Sequence, residues 1–124
     1  MRVLVVDDDE DIRESTVMLL EAYGHDVAAE KDAGRVFARV EEFRPDVVLQ
    51  DVNMPGLEMR LHLEGLARLS PGLPVVLFTA SVQLDEVRGL PGVAFVVSKP
   101  FEAEDLEDTL EAAVAGYRAA AGTP

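Results

Sequence analysis

Short β-branched runs alternate along this chain with stretches whose apolar residues recur every three or four positions. Residues 3–6, VLVV, read as a buried strand, because a strand covered on both faces shows no polar side. Ile12, Thr16, Leu19, Leu20 and Tyr23 follow at helical spacing, with Gly24 placed to end that helix. Residues 25–30 form a weaker, edge-like strand. Asp32 is placed to cap a second helix with Val36, Phe37, Val40 and Phe43 on its apolar face, and Pro45 stops it. Residues 47–50 are the next buried strand. Leu57, Leu61 and Leu66 mark a third helix ending at Leu69, broken by Ser70-Pro71-Gly72. Residues 75–78 are a fourth strand, residues 84–90 a short helix before Pro91-Gly92, and residues 93–97 a fifth strand. Leu106, Leu110, Ala113, Val114 and Tyr117 line a last helix.

Strands alternating with helices mean parallel βαβ units, so the chain predicts an α/β fold: a doubly wound, five-stranded parallel sheet with helices on both faces. Right-handed crossovers leave few topologies, and the flavodoxin-like order 2-1-3-4-5 is the expectation. At 124 residues the chain suits one domain, residues 1–119, with residues 120–124 as a tail or the start of a linker.

Charge narrows the function. Eleven Lys and Arg against 24 Asp and Glu give a net charge of −13, which opposes direct nucleic-acid binding by this domain and favours divalent cations or basic partner surfaces. There is no cysteine, so neither a disulfide nor a thiolate metal site is available. No apolar run approaches a membrane span, and the four aliphatic residues before the acids are too short for a signal peptide. A cytoplasmic protein without a membrane partner is expected.

Ligands of open α/β sheets bind outside the carboxyl ends of the strands. Those ends carry Asp7 and Asp8 after strand 1, Asp51 after strand 3, Thr79 after strand 4 and Lys99 after strand 5, while strand 2 shows no comparable group. The order 2-1-3-4-5 makes strands 1, 3, 4 and 5 consecutive neighbours, so these groups converge. Singly, each has an ordinary reading. The acids of DDDED can cap a helix, Asp51 can serve a turn, Thr79 can fill a strand, and Lys99 can be exposed before a turn proline. Four such coincidences at one sheet edge favour a site. His25 and His62 read as plain surface residues.

Carboxylates about 5 Å apart repel by roughly 3 kcal/mol per pair at an effective dielectric of 20, so the acids call for a cation. Hard oxygen donors without His or Cys select Mg²⁺ or Mn²⁺. With Lys99 as a second positive centre and Thr79 as a hydroxyl donor, the set suits a phosphoryl group. One carboxylate can itself accept it, and Asp51 is the central candidate.

The blocks VLVVDDDEDIR, PDVVLQDVNMPG, PVVLFTA and VSKPF, in this order, closely resemble the signature of the two-component response-regulator receiver domain. The resemblance runs from about Arg2 to Tyr117. It implies that Asp51 is the phosphoacceptor, supplied by a histidine kinase or a histidine phosphotransfer protein. It implies Mg²⁺ held by Asp8 and Asp51, by Asp7 directly or through water, and by the backbone carbonyl of Asn53. Thr79 and Lys99 would contact the phosphoryl oxygens. The implied module catalyses its own phosphorylation and dephosphorylation with Mg²⁺, and signals to a downstream effector domain or protein. It can pair with a second copy through the face of the fourth helix, fifth strand and last helix.

Three features depart from the family pattern. Val96 holds the position three before Lys99 that is usually aromatic, with Phe95 one place early. Thr79 and Lys99 are 20 positions apart, shorter than is usual. Met59 replaces a common glycine. Phe95 is expected on the opposite side of the strand from Val96 unless a bulge shifts the register. Two rivals fit less well. A haloacid-dehalogenase-type phosphatase wants a second Asp where Asn53 stands, and a Rossmann nucleotide site wants a Gly-rich first turn where DDDED would repel a pyrophosphate.

Overall fold

Five parallel strands form one sheet in the order β2-β1-β3-β4-β5. They are β1 (Arg2–Val6), β2 (Asp26–Glu30), β3 (Val47–Asp51), β4 (Val75–Thr79) and β5 (Val93–Ser98). The helices are α1 (Glu10–Ala22), α2 (Val36–Phe43, preceded by a 3₁₀ turn over Ala33–Arg35), α3 (Met59–Leu69) and α4 (Ala103–Ala121). This computed structural model describes residues 1–79, 89–90, 92–98 and 101–121, with side chains up to Gly116. The expected helix over 84–90 falls almost wholly outside them, as do Lys99 and residues 80–83; the tail, 120–124, lies outside except for the backbone of Ala120 and Ala121.

The strands are apolar because both faces are covered. Every residue of β3 and β4 is buried. Val3, Val5, Val47, Leu49, Val76 and Phe78 point to one side, against Leu20 of α1 and Leu106, Leu110, Ala113 and Val114 of α4. Leu4, Val6, Val48, Val75 and Leu77 point to the other, against Val36 and Val40 of α2 and Leu63 and Leu66 of α3. Both layers of helices thus hold the central strands rigid, and the strand ends inherit that rigidity.

The turns follow from local chemistry. Gly24 takes φ +89° just after α1, a left-handed conformation that glycine adopts without a Cβ penalty. Arg44, before Pro45, sits at φ 53°, the one positive-φ residue other than glycine among the described residues. A residue before proline is disfavoured in the α region, so the helix stops at Phe43.

Three expectations are corrected. Leu61 is 65% exposed, because α3 starts at Met59 behind a Glu58 cap and turns His62, Leu63 and Leu66 inward. His62 is therefore buried rather than at the surface. The His25 side chain is only 7% exposed: its Nε2 meets the Glu107 carboxylate of α4 at 2.6 and 2.8 Å, and its Nδ1 lies 3.1 Å from the N-terminal ammonium. At β5 the register slips by one residue between Val75 and Val76, so Val93 pairs with Val75 and Phe95 with Val76. The slip precedes Phe95. Val96 then packs on the α2–α3 side and Val97 on the α1–α4 side, with Phe95 43% exposed.

Candidate functional site

The sheet register builds the site. Val6 pairs with Gln50, and Asp51 pairs with Phe78. Asp7 and Asp51 therefore stand level at the carboxyl end of adjacent strands, with Thr79 one step further on the next strand. Asp7 and Thr79 are fully buried and Asp51 is 4% exposed, whereas Asp8 faces solvent. One carboxylate oxygen from each of Asp7, Asp8 and Asp51 lies within 4.8 Å of the other two.

The remaining acids of the opening run have different work. Asp9 caps α1, its Oδ1 accepting from the Ile12 amide at 3.1 Å. Glu10 and Asp11 occupy the first turn, where the helix dipole favours negative charge. Asp7 is fixed from its own backbone outward. Its amide donates to the Glu30 carbonyl at 3.1 Å, and its carbonyl accepts from Arg13 Nη1 at 3.0 Å. The Asp9 amide donates to Asp7 Oδ1 at 3.0 Å. Asp51 Oδ1 accepts from the Asn53 amide at 3.4 Å, and the Val52 amide donates to the Phe78 carbonyl at 3.2 Å. The loop after β3 is thus tied to β4 at its first step.

The donor set fits a hard divalent cation. Adjacent oxygens on an octahedral Mg²⁺ lie about 3 Å apart and opposite ones about 4 Å, from Mg–O distances near 2.1 Å. A spread within 4.8 Å is close to that span, so small rotations bring the carboxylates onto one ion or onto its waters. Among the described residues no His joins the cluster, in keeping with an oxygen-only site.

Sequence reasoning missed an acid at the end of β2. Glu30 is 8% exposed, and its Oε2 accepts from the amides of Lys31 and Asp32 at 3.0 and 2.9 Å. Its Oε1 lies 3.8 Å from Arg35 and 3.7 Å from Arg39. Glu30 locks the turn into α2 and does not join the three aspartates. Its signal was its place as the last residue of a strand, the same signal that marked Asp51. Gln50 was missed as well. Fully buried in β3, its amide nitrogen donates to the Asp51 carbonyl at 3.0 Å and to Met54 Sδ at 3.3 Å, and its oxygen meets His62 Nε2 at 3.0 Å. Burial lowers the His62 pKa below its ordinary value of 6.5.

Comparison with known proteins agrees with this geometry. The family model described as the response regulator receiver domain matches residues 3–111. The DNA-binding response regulator MtrA of Mycolicibacterium smegmatis is 36% identical over 107 residues, covering 85% of this chain and 46% of that protein. The sensor histidine kinase AruS of Pseudomonas aeruginosa is 35% identical over 119 residues, covering 89% of this chain and 12% of the kinase. A response regulator receiver domain protein from Clostridium thermocellum superposes with a TM-score of 0.83 at 26% identity, covering 94% of this chain and 96% of that one. The chain therefore spans about half the length, or less, of these curated relatives. With motif order, strand order and acid cluster in agreement, the chain belongs to the response-regulator receiver-domain family of two-component signalling.

Proposed function

We propose that Asp51 accepts a phosphoryl group from a phosphohistidine of a kinase or phosphotransfer protein, in a step that requires Mg²⁺ or Mn²⁺. The observation that carries this reading is the meeting of Asp7, Asp8 and Asp51 oxygens within 4.8 Å beside the buried end of β4. A carboxylate oxygen of Asp51 attacks phosphorus, the new O–P bond forms, and the P–N bond to the donor imidazole breaks. With the donor ring protonated on its other nitrogen, it leaves as neutral imidazole. Asp8 and Asp51 would hold the metal, with Asp7 joining directly or through water and the Asn53 carbonyl as a further ligand. Bound Mg²⁺ supplies positive charge to the carboxylates and to the phosphoryl oxygens. Thr79 donates its hydroxyl to one phosphoryl oxygen and Lys99 pairs with another. Hydrolysis of the aspartyl phosphate resets the domain at the same residues.

The domain spans residues 1–119 and works in the cytoplasm on a downstream effector. MtrA is named a DNA-binding regulator, and this chain at −13 is suited to controlling such an output rather than touching DNA. The face of β5 and α4, where Phe95 is exposed, is the proposed surface for an effector or a second copy. Intact mass after acetyl phosphate treatment tests the acceptor. Wild type gains one phosphoryl increment with Mg²⁺ and none with EDTA, and Asp51→Asn gains none in either. An unchanged increment in Asp51→Asn would remove the assignment.

A further inference from the structure

Gln50 is an expensive residue to place where it stands. All five residues of β3 are buried, and an amide taken out of water destabilises the fold unless its hydrogen bonds are replaced. Here they are replaced by one particular set. The two ends of the loop that follows Asp51, namely the Asp51 carbonyl and the Met54 sulfur, are bridged by the same NH₂ group at 3.0 and 3.3 Å. Between them Val52 is half-buried and Asn53 is exposed. The loop is therefore clasped at its buried ends, and between them the Asn53 amide donates to Asp51 Oδ1 at 3.4 Å.

His62 decides which way that clasp points. The contact of its Nε2 with Gln50 Oε1 at 3.0 Å requires a proton on Nε2, since the Gln oxygen can only accept. This donor fixes the Gln oxygen toward α3 and the NH₂ toward the loop. With the amide reversed, its oxygen would face the Asp51 carbonyl, acceptor against acceptor. His62 is held in turn by stacking on Phe37 of α2, with ring centroids 5.5 Å apart and planes 13° apart. Phe37 lies so close over Gly65 of α3 that a Cβ there would meet its ring at 2.5 Å. A continuous packed path thus runs from α2 through α3 and the centre of the sheet to the loop beside the acceptor.

We propose that Gln50 and His62 are a positioning pair, which holds the 51–54 loop in the shape that presents the Asp51 carboxylate and the Asn53 backbone together to a divalent cation. The proposal rests on the phosphoacceptor reading of this site. It assigns neither residue a contact with the cation. Both act through the Asp51 carbonyl and the Met54 side chain.

The test separates positioning from mere packing. His62→Phe keeps a ring against Phe37 and removes the donor, whereas His62→Gln keeps an amide N–H near the place of Nε2. Mg²⁺ affinity is read by calorimetric titration, and folding by the melting temperature in EDTA. We expect His62→Phe to weaken Mg²⁺ binding roughly tenfold, the lower end of what losing a partner that orients a metal ligand costs. His62→Gln should restore most of that affinity. Gln50→Leu, close in size and free of polar atoms, should match His62→Phe, and it carries the test if His62→Phe does not fold. Phosphoryl uptake in His62→Phe should return toward wild type at saturating Mg²⁺. Unchanged Mg²⁺ affinity in His62→Phe and Gln50→Leu, whatever their melting temperatures, overturns the proposal. Failure of the underlying reading looks different: the wild type itself would not bind Mg²⁺, or Asp51→Asn would bind it as tightly.

Discussion

Asp8 offers a clean way to measure the electrostatic cost of the acid cluster. It is exposed and makes no hydrogen bond among the described residues, so Asp8→Asn removes a charge without breaking a contact. At 4.8 Å and an effective dielectric of 20, each pair of carboxylates repels by about 3.5 kcal/mol. Water and salt reduce the two pairs that include exposed Asp8 to about 1 kcal/mol or less each. Without a cation, Asp8→Asn should therefore be about 1–2 kcal/mol more stable than wild type. An unfolding entropy near 2.1 cal/mol/K per residue over 124 residues makes each kcal/mol worth about 4 °C. The expected rise in Tm in EDTA is about 4–8 °C by scanning calorimetry, and it should shrink in 1 M NaCl, where the screening length falls to about 3 Å. Mg²⁺ reverses the ranking. At 100 times Kd it stabilises wild type by about 2.7 kcal/mol, or about 10 °C, and Asp8→Asn by clearly less. An equal or lower Tm for Asp8→Asn in EDTA would refute the repulsion argument, even if Mg²⁺ still binds.

Two further outcomes follow from the buried histidines. Burial holds the His62 pKa below 6.5, so on acidification the unfolded chain takes up that proton first and stability falls. The loss should begin near pH 6.5, continue down to the folded pKa and be absent above pH 7; denaturant titrations of wild type and His62→Gln at several pH values isolate it, and parallel curves would exclude it. At the other edge, Glu107→Leu leaves His25 Nε2 without its 2.6 Å partner and should cost about 1–3 kcal/mol. The His25→Leu, Glu107→Leu double variant should cost less than the two single changes together, and strict additivity would show that the pair is not coupled.

The strand order was legible because it is written twice in the chain. Aliphatic runs fit only strands covered on both faces, and their alternation with helical periods leaves one handed way to assemble. Asp7, Asp8, Asp51 and Thr79 were legible for the same reason: each lies within two residues of the end of such a run, and topology alone brings those ends together. Helix faces were harder. Reading Leu57, Leu61 and Leu66 as one face of α3 put Leu61 inside, but the Glu58 cap sets the start of the helix, and the polar atoms of Gln50 favour His62 over Leu61 at the sheet. Periodicity counts apolar residues and has no means of seeing that a buried amide wants a histidine. His25 was misread likewise, because its partner Glu107 is 82 positions away on α4.

The fifth strand shows where local spacing and three-dimensional register part. An aromatic one place early can be accommodated by turning it to the other face or by slipping the strand. The observed slip, between Val75 and Val76, comes before Phe95 and leaves Phe95 and Val96 on opposite faces. It also sets their height. Phe95 stands opposite Val76, three residues before Thr79, so about 10 Å of strand separates its level from the hydroxyl at a rise near 3.3 Å per residue. Ser98, not an aromatic, is level with Thr79. Among the described residues, Asp51 is joined to the loop clasped by Gln50, which is tied through His62 and Phe37 to α3 and α2. On the phosphoacceptor reading, a change of charge at Asp51 has a route to the α2–α3 layer through contacts already in place among the described residues.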